Sequence, residues 1–94
     1  MRDTDILLDI GAHVGSITIP AARKVKHVFA FESLFTDELR ENVRLNGLTN
    51  VTIFPLALGN GSTIDLKFFD SKKIISKPIH LRKLSLSVAK KMIF

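Results

Sequence analysis

The sequence has no cysteine among its 94 residues, which excludes disulfides and thiolate metal sites. No apolar run approaches the roughly 20 residues of a membrane-spanning helix. No basic segment followed by an apolar one opens the chain, so a secretory signal is not expected. His, Asp and Glu nowhere cluster with metal-ligand spacing, and no metal is expected. There is no internal repeat. These absences fit a cytoplasmic chain without membrane partners. A hydrophobic fraction of 46% is ordinary for a globular protein and too high for a disordered one. The length allows one small domain.

Charge is unevenly spread. Residues 1–66 carry six Lys/Arg against eight Asp/Glu, a net of −2, whereas residues 67–94 carry eight against one, a net of +7. The basic character belongs to the last third alone. Such a tail could touch nucleic acid or anionic lipid, but charge runs are mostly solvated faces. The expectation is a solvated segment, with nucleic acid not foreseen as a partner.

Apolar runs at Ile6–Ile10 and His27–Phe31 predict two strands buried in a parallel sheet. Between them a helix is predicted from Ser16–Thr18, either of which can cap it, to about Lys24. Pro20 is tolerated only near that start. A second helix begins near Thr36, carries Asp37 and Glu38 in its first turn, and ends at Asn46-Gly47. A third strand is predicted over Val51–Leu58, with Pro55 marking an edge or a bend. After a turn at residues 59–62, Thr63–Phe69 alternates as a half-buried strand. Leu81, Leu84 and Val88 have loosely helical spacing. The order β-α-β-α-β-β predicts right-handed crossovers and a parallel α/β sheet.

The informative stretch is Leu7-Leu8-Asp9-Ile10-Gly11-Ala12-His13-Val14-Gly15-Ser16, an apolar strand entering a glycine turn before a helix. Such a turn presents backbone N–H groups to a small molecule. Glu32 ends the next strand, where a carboxylate can hold ribose hydroxyls. Together they point to a nucleoside-containing cofactor. A triphosphate-binding loop needs a lysine directly before its Ser/Thr, and Gly15 stands there instead. A dinucleotide loop needs a middle glycine for close approach to pyrophosphate. His13 stands there, so a dehydrogenase fragment is disfavoured.

Asp9-x-Gly11-x-x-x-Gly15, with Glu32 beyond, resembles the first motif of class I S-adenosylmethionine-dependent methyltransferases. Phe31-Glu32, the segment Glu41 to Val51 with its Asn42, Asn46-Gly47 and Asn50, and Pro55-Leu56-Ala57-Leu58-Gly59 are similar to the FkbM family of that class. The resemblance spans about residues 5 to 68. It implies S-adenosylmethionine as cofactor and a small molecule or sugar as methyl acceptor, with O-methyl transfer as the reaction. Gly11 and Gly15 would let the loop pass beneath the methionine part, lined also by Ala12 and His13. Asp9 would orient the loop or reach the amino group through water, unless it is only a local brace. Glu32, followed by Ser33, would bind the ribose, and Leu56 and Ala57 would lie near adenine. His13 matches a family position commonly held by a loop-shaping amide, a role preferred here to that of a base. No catalytic residue is identified.

Two departures follow. The run Glu32-Ser33-Leu34-Phe35-Thr36 lacks the family's usual proline and is about two residues short, which would displace the backbone around the ribose. The family's later strands have no counterpart in residues 69–94. The expectation is therefore an incomplete Rossmann-like S-adenosylmethionine-binding domain over residues 1–69, with two helices and a β-hairpin. Residues 70–94 would be a poorly ordered or loosely helical basic tail. The first strand would then expose an open edge through which the chain could associate. The competing reading is a non-catalytic nucleoside-binding remnant, or an association module that uses the tail.

Overall fold

The computed structural model describes residues 2–57 in full, together with the backbone of three further strands, Thr63–Asp70, Lys73–His80 and Lys90–Ile93. In chain order the elements are β1 (Ile6–Ile10), α1 (Thr18–Ala22), β2 (His27–Phe31), α2 (Thr36–Leu45), β3 (Val51–Phe54), β4 (Thr63–Asp70), β5 (Lys73–His80) and β6 (Lys90–Ile93). One sheet has the order β3-β2-β1-β6, and β4 and β5 form a separate antiparallel pair. β1, β2 and β3 are parallel, with Ile6 opposite His27 and Val28 opposite Val51. The core is thus a small three-stranded parallel sheet with two helices, an incomplete Rossmann-like α/β fold.

The period of two along each strand sorts the side chains. Leu7, Val28 and Ala30 share one face with the partly buried Val51 and Ile53, and they cluster with Ala21, Ala22 and Val25 of the α1 region and Leu39 and Val43 of α2. Leu8, Phe29 and Phe31 lie on the opposite face and are also buried. There Phe31 stacks on Phe54 with ring centroids 4.9 Å apart. All five residues of β1 are buried, as expected of a strand covered on both faces. Asp9 falls on the helix-facing side with Leu7, so its carboxylate lies under α1.

Both helices start where expected, with one difference. The N-cap of α1 is Ile17, without a side-chain cap. Thr18 turns its hydroxyl to Asp9 instead. α1 closes at Ala22, earlier than Lys24, and a further turn carries the N–H groups of Lys24 and Val25 to the Ala21 carbonyl. α2 ends as foreseen: Gly47 has a φ of 64° and its N–H bonds the Arg44 carbonyl at 3.0 Å. β3 stops at Phe54, before Pro55, which cannot donate to a ladder, rather than continuing to Leu58.

The predicted open edge of β1 is not open. β6 pairs with it antiparallel, setting Lys90 opposite Ile10 and Lys91 opposite Asp9. Within the segment expected as a loose tail, β5 and β6 are strands. The helical spacing of Leu81, Leu84 and Val88 lies outside the described residues, as does the turn at residues 59–62.

Candidate cofactor site

Three chain reversals gather at the carboxyl ends of β1, β2 and β3. The parallel pairing puts Ile10 beside Phe31 and Phe31 beside Phe54. The residues that follow therefore meet at one end of the sheet, the end where open α/β sheets bind ligands. The Phe31 carbonyl accepts from the N–H groups of both Gly11 (2.9 Å) and Ala12 (3.0 Å), and the Phe54 carbonyl accepts from Glu32 N–H (3.1 Å) and Leu56 N–H (2.9 Å).

The loop after β1 is a tight turn closed by Gly15 N–H on the Ala12 carbonyl at 3.0 Å. Three of its residues have positive φ: Gly11 at 73°, His13 at 54° and Gly15 at 100°. Glycine takes this conformation freely, and Gly15 is constrained twice over. A Cβ there would stand 3.0 Å from Leu39 Cδ1 and 3.1 Å from Ile19 Cδ1. The backbone conformation thus demands glycine, and a side chain there would also press on Leu39 of α2 and Ile19 of α1. Asn42 of α2 secures the same turn, its side-chain amide donating to the Val14 carbonyl at 2.7 Å.

Two buried carboxylates anchor the site. Asp9 is fully buried and accepts the Thr18 hydroxyl at 2.5 Å. Glu32 is 6% exposed. Its Oε1 accepts from His13 N–H at 2.8 Å, and its Oε2 accepts from Leu34 N–H at 2.9 Å and Phe35 N–H at 3.1 Å. Burial pushes the Glu32 carboxyl up. The N–H groups of Phe35, Leu34 and His13, with the charge of His13, outweigh it and hold the group below the ordinary carboxylate range. Glu32 is thus an ionised acceptor that knits the two loops together.

The structure brings Asp9, Gly11, Ala12, His13, Gly15, Glu32 and Ser33 to this end of the sheet, with Leu56 and Ala57 just beyond β3. His13 and Ser33 are exposed, whereas Ala12 is buried. His13 engages Glu32 through its main chain, and its ring lies tilted toward Phe35 at 6.0 Å. After Glu32 the chain turns so that Leu34 and Phe35 fold their N–H groups back over the carboxylate. Of the six large apolar side chains exposed among the described residues, five (Val14, Ile17, Leu34, Phe35 and Leu56) come from these three loops.

Sequence reasoning missed Thr18, read only as a cap, and the site-bracing amides. Asn50 donates to the Ala22 carbonyl at 2.7 Å and closes the end of α1, while Asn42 holds the turn. Both belong to the stretch that carried the family resemblance, so a signal for them was present. His27, without an evident partner in the sequence, meets the Thr52 hydroxyl at 2.7 Å through Nε2.

Fold and candidate site define an α/β chain with a glycine-containing strand-turn-helix loop and a strand-end acid. No protein-family model matches it. It is similar to a protein of Methanosphaera stadtmanae described as "Probable ribosomal RNA small subunit methyltransferase A", 32% identical over 78 residues, covering 81% of this chain and 27% of that one. It is also similar to the 23S rRNA (uracil(1939)-C(5))-methyltransferase of Klebsiella pneumoniae, 38% identical over 56 residues, covering 57% of this chain and 13% of that one. The chain thus spans about a quarter or less of the curated relatives it matches. Distant kinship with methyltransferases is common to both. The expectation of a small-molecule or sugar acceptor with no nucleic acid is overturned, because both relatives are named for ribosomal RNA.

Proposed function

We propose that this chain carries the cofactor-binding part of a class I S-adenosylmethionine-dependent methyltransferase whose acceptor is RNA. The observation that carries the reading is Glu32: a carboxylate kept ionised at the end of β2, facing the Gly11–Gly15 turn. The motif resemblance supports the cofactor, and the names of the relatives support the acceptor class. The FkbM-like segment supports only the cofactor half of this reading.

The residues present fit the cofactor. A carboxylate offers about four acceptor positions, and three are taken by backbone N–H groups. One remains on Oε1 for a ribose hydroxyl. A second hydroxyl is accommodated when Leu34 or Phe35 N–H yields its place on Oε2. Gly11 and Gly15 keep side chains out of the turn, while Asp9 and Thr18 fix it from below. The exposed Leu34, Phe35 and Leu56 offer apolar surface to adenine. Bound there, S-adenosylmethionine supplies an electrophilic methyl group for direct displacement, and the protein's work is alignment.

Isothermal titration with S-adenosylhomocysteine and NAD tests the cofactor. The expected result is binding of the first alone, weakened at least tenfold by Glu32→Ala. Equal binding of NAD, or no binding of S-adenosylhomocysteine, overturns the reading.

A further inference from the structure

The basic end of the chain is not used by the cofactor reading, and the fold puts part of it beside the site. β6 runs antiparallel to β1, so it begins at the carboxyl end of β1, where the cofactor turn starts. Its first two residues, Lys90 and Lys91, are in register with Ile10 and Asp9, immediately before Gly11. The flank formed by α2 has the other sign. Asp37, Glu38 and Glu41 line a groove of about 500 Å³ there with Val14 and Asn42, and Arg40 and Arg44 are paired with Asp37 and Glu41. The β6 flank therefore offers a polyanion more positive charge than the α2 flank, where the arginines are already paired with acids.

We propose that β6 is a docking strand for the acceptor RNA, with Lys90 and Lys91 taking backbone phosphates at the edge of the sheet beside the Gly11 turn. This rests on the RNA methyl-transfer reading above. The register explains why the basic residues are joined to the domain at this edge, as phosphate contacts set the position of a nucleic acid without reading its sequence. The competing role for lysines on an edge strand is to deter pairing by another chain, and that role makes no demand on RNA.

The test uses the full chain and a short fluorescein-labelled single-stranded RNA, followed by anisotropy over a salt series, with S-adenosylhomocysteine titration alongside. The double substitution Lys90→Gln and Lys91→Gln is expected to weaken RNA binding on the order of tenfold. It should also flatten the salt dependence of log K by about 0.7 per lost phosphate contact, with S-adenosylhomocysteine affinity unchanged. Lys90→Arg with Lys91→Arg should bind RNA like the parent. Lys67→Gln with Lys77→Gln, on the β4–β5 pair, should have a smaller effect than the β6 pair. Equal RNA affinity of the parent and the β6 Gln variant overturns the proposal, as does an equal loss from the β4–β5 variant. Loss of RNA binding in the Arg variant overturns it too. A parent chain that binds S-adenosylhomocysteine but no RNA overturns docking and leaves the cofactor reading intact. RNA binding with the expected lysine dependence but no S-adenosylhomocysteine binding overturns the cofactor reading alone.

Discussion

Thr18 donates its hydroxyl hydrogen to Asp9 at 2.5 Å, and both side chains are completely buried beneath the Gly11–Gly15 turn. The bond ties the end of β1 to the first residue of α1, fixing the two ends of the turn. Replacing Thr18 by Val keeps the shape and deletes the donor. Loss of a hydrogen bond to a buried charged group costs about 1–3 kcal/mol. Thr18→Val is expected to lower unfolding free energy by that amount in urea titrations, while Thr18→Ser keeps most of it. A Thr18→Val protein as stable as the parent would show that the bond contributes nothing net.

Glu32 carries a second prediction, because its oxygens are nearly saturated by the chain's own backbone. A ribose that places two hydroxyls on this carboxylate has to displace one N–H. Leu34 and Phe35 lie in the short exposed loop and yield more readily than His13, which is fixed in the turn. Hydrogen–deuterium exchange in the presence of S-adenosylhomocysteine should therefore change at Leu34 and Phe35 more than at Leu39 or Val43, which are buried in α2. Unchanged exchange at both loop amides on a demonstrably bound chain would mean that the ribose does not use Oε2.

The parts of this molecule that were legible in the sequence are those written in local side-chain patterns. Ile6–Ile10 and His27–Phe31 are apolar enough to name their strands, and Asn46-Gly47 marks the end of α2. Gly11 and Gly15 mark the turn after β1, and Glu32 the end of β2. What was not legible depends on backbone or on distant pairing. The three donors to Glu32 are main-chain N–H groups, which leave no signature in residue type. The Thr18–Asp9 bond depends on how the intervening turn folds back. β6 is defined by its partner: Lys-Lys-Met-Ile has no alternation of its own, and only the ladder to β1 makes it a strand. The acceptor class was misjudged for a related reason. Cofactor motifs describe the conserved chemistry of methyl donation and carry no information about who receives the methyl group.

His13 gives a third prediction. Its φ of 54° is a conformation that disfavours most side chains by roughly 1–2 kcal/mol and that Asn tolerates better. The contact that joins it to Glu32 is made by its N–H, which Asn retains. His13→Asn should leave stability equal or up to about 1 kcal/mol higher, with S-adenosylhomocysteine affinity within threefold of the parent. A loss of affinity beyond tenfold would assign the imidazole a direct part in the site.

Acid should destabilise the fold in two stages. Burial lowers the pKa of the half-buried His27 below its ordinary 6.5. The unfolded chain therefore takes up a proton at His27 before the folded one does, and stability falls as pH drops below about 6.5. Glu32 behaves alike in a lower range. Burial pushes its carboxyl up, but the N–H groups of Phe35, Leu34 and His13 and the charge of His13 bring it below its ordinary 4.5. The stability this contributes is full above about 4.5 and is lost as pH falls through the folded value. Unfolding free energy measured across this range should show both limbs. His27→Gln should remove the upper limb and keep the lower, and Glu32→Gln should do the reverse at the cost of a less stable turn. An upper limb that persists in His27→Gln would assign that titration to another group, and a lower limb untouched by Glu32→Gln would mean that the three N–H bonds do not hold the carboxylate in its charged form.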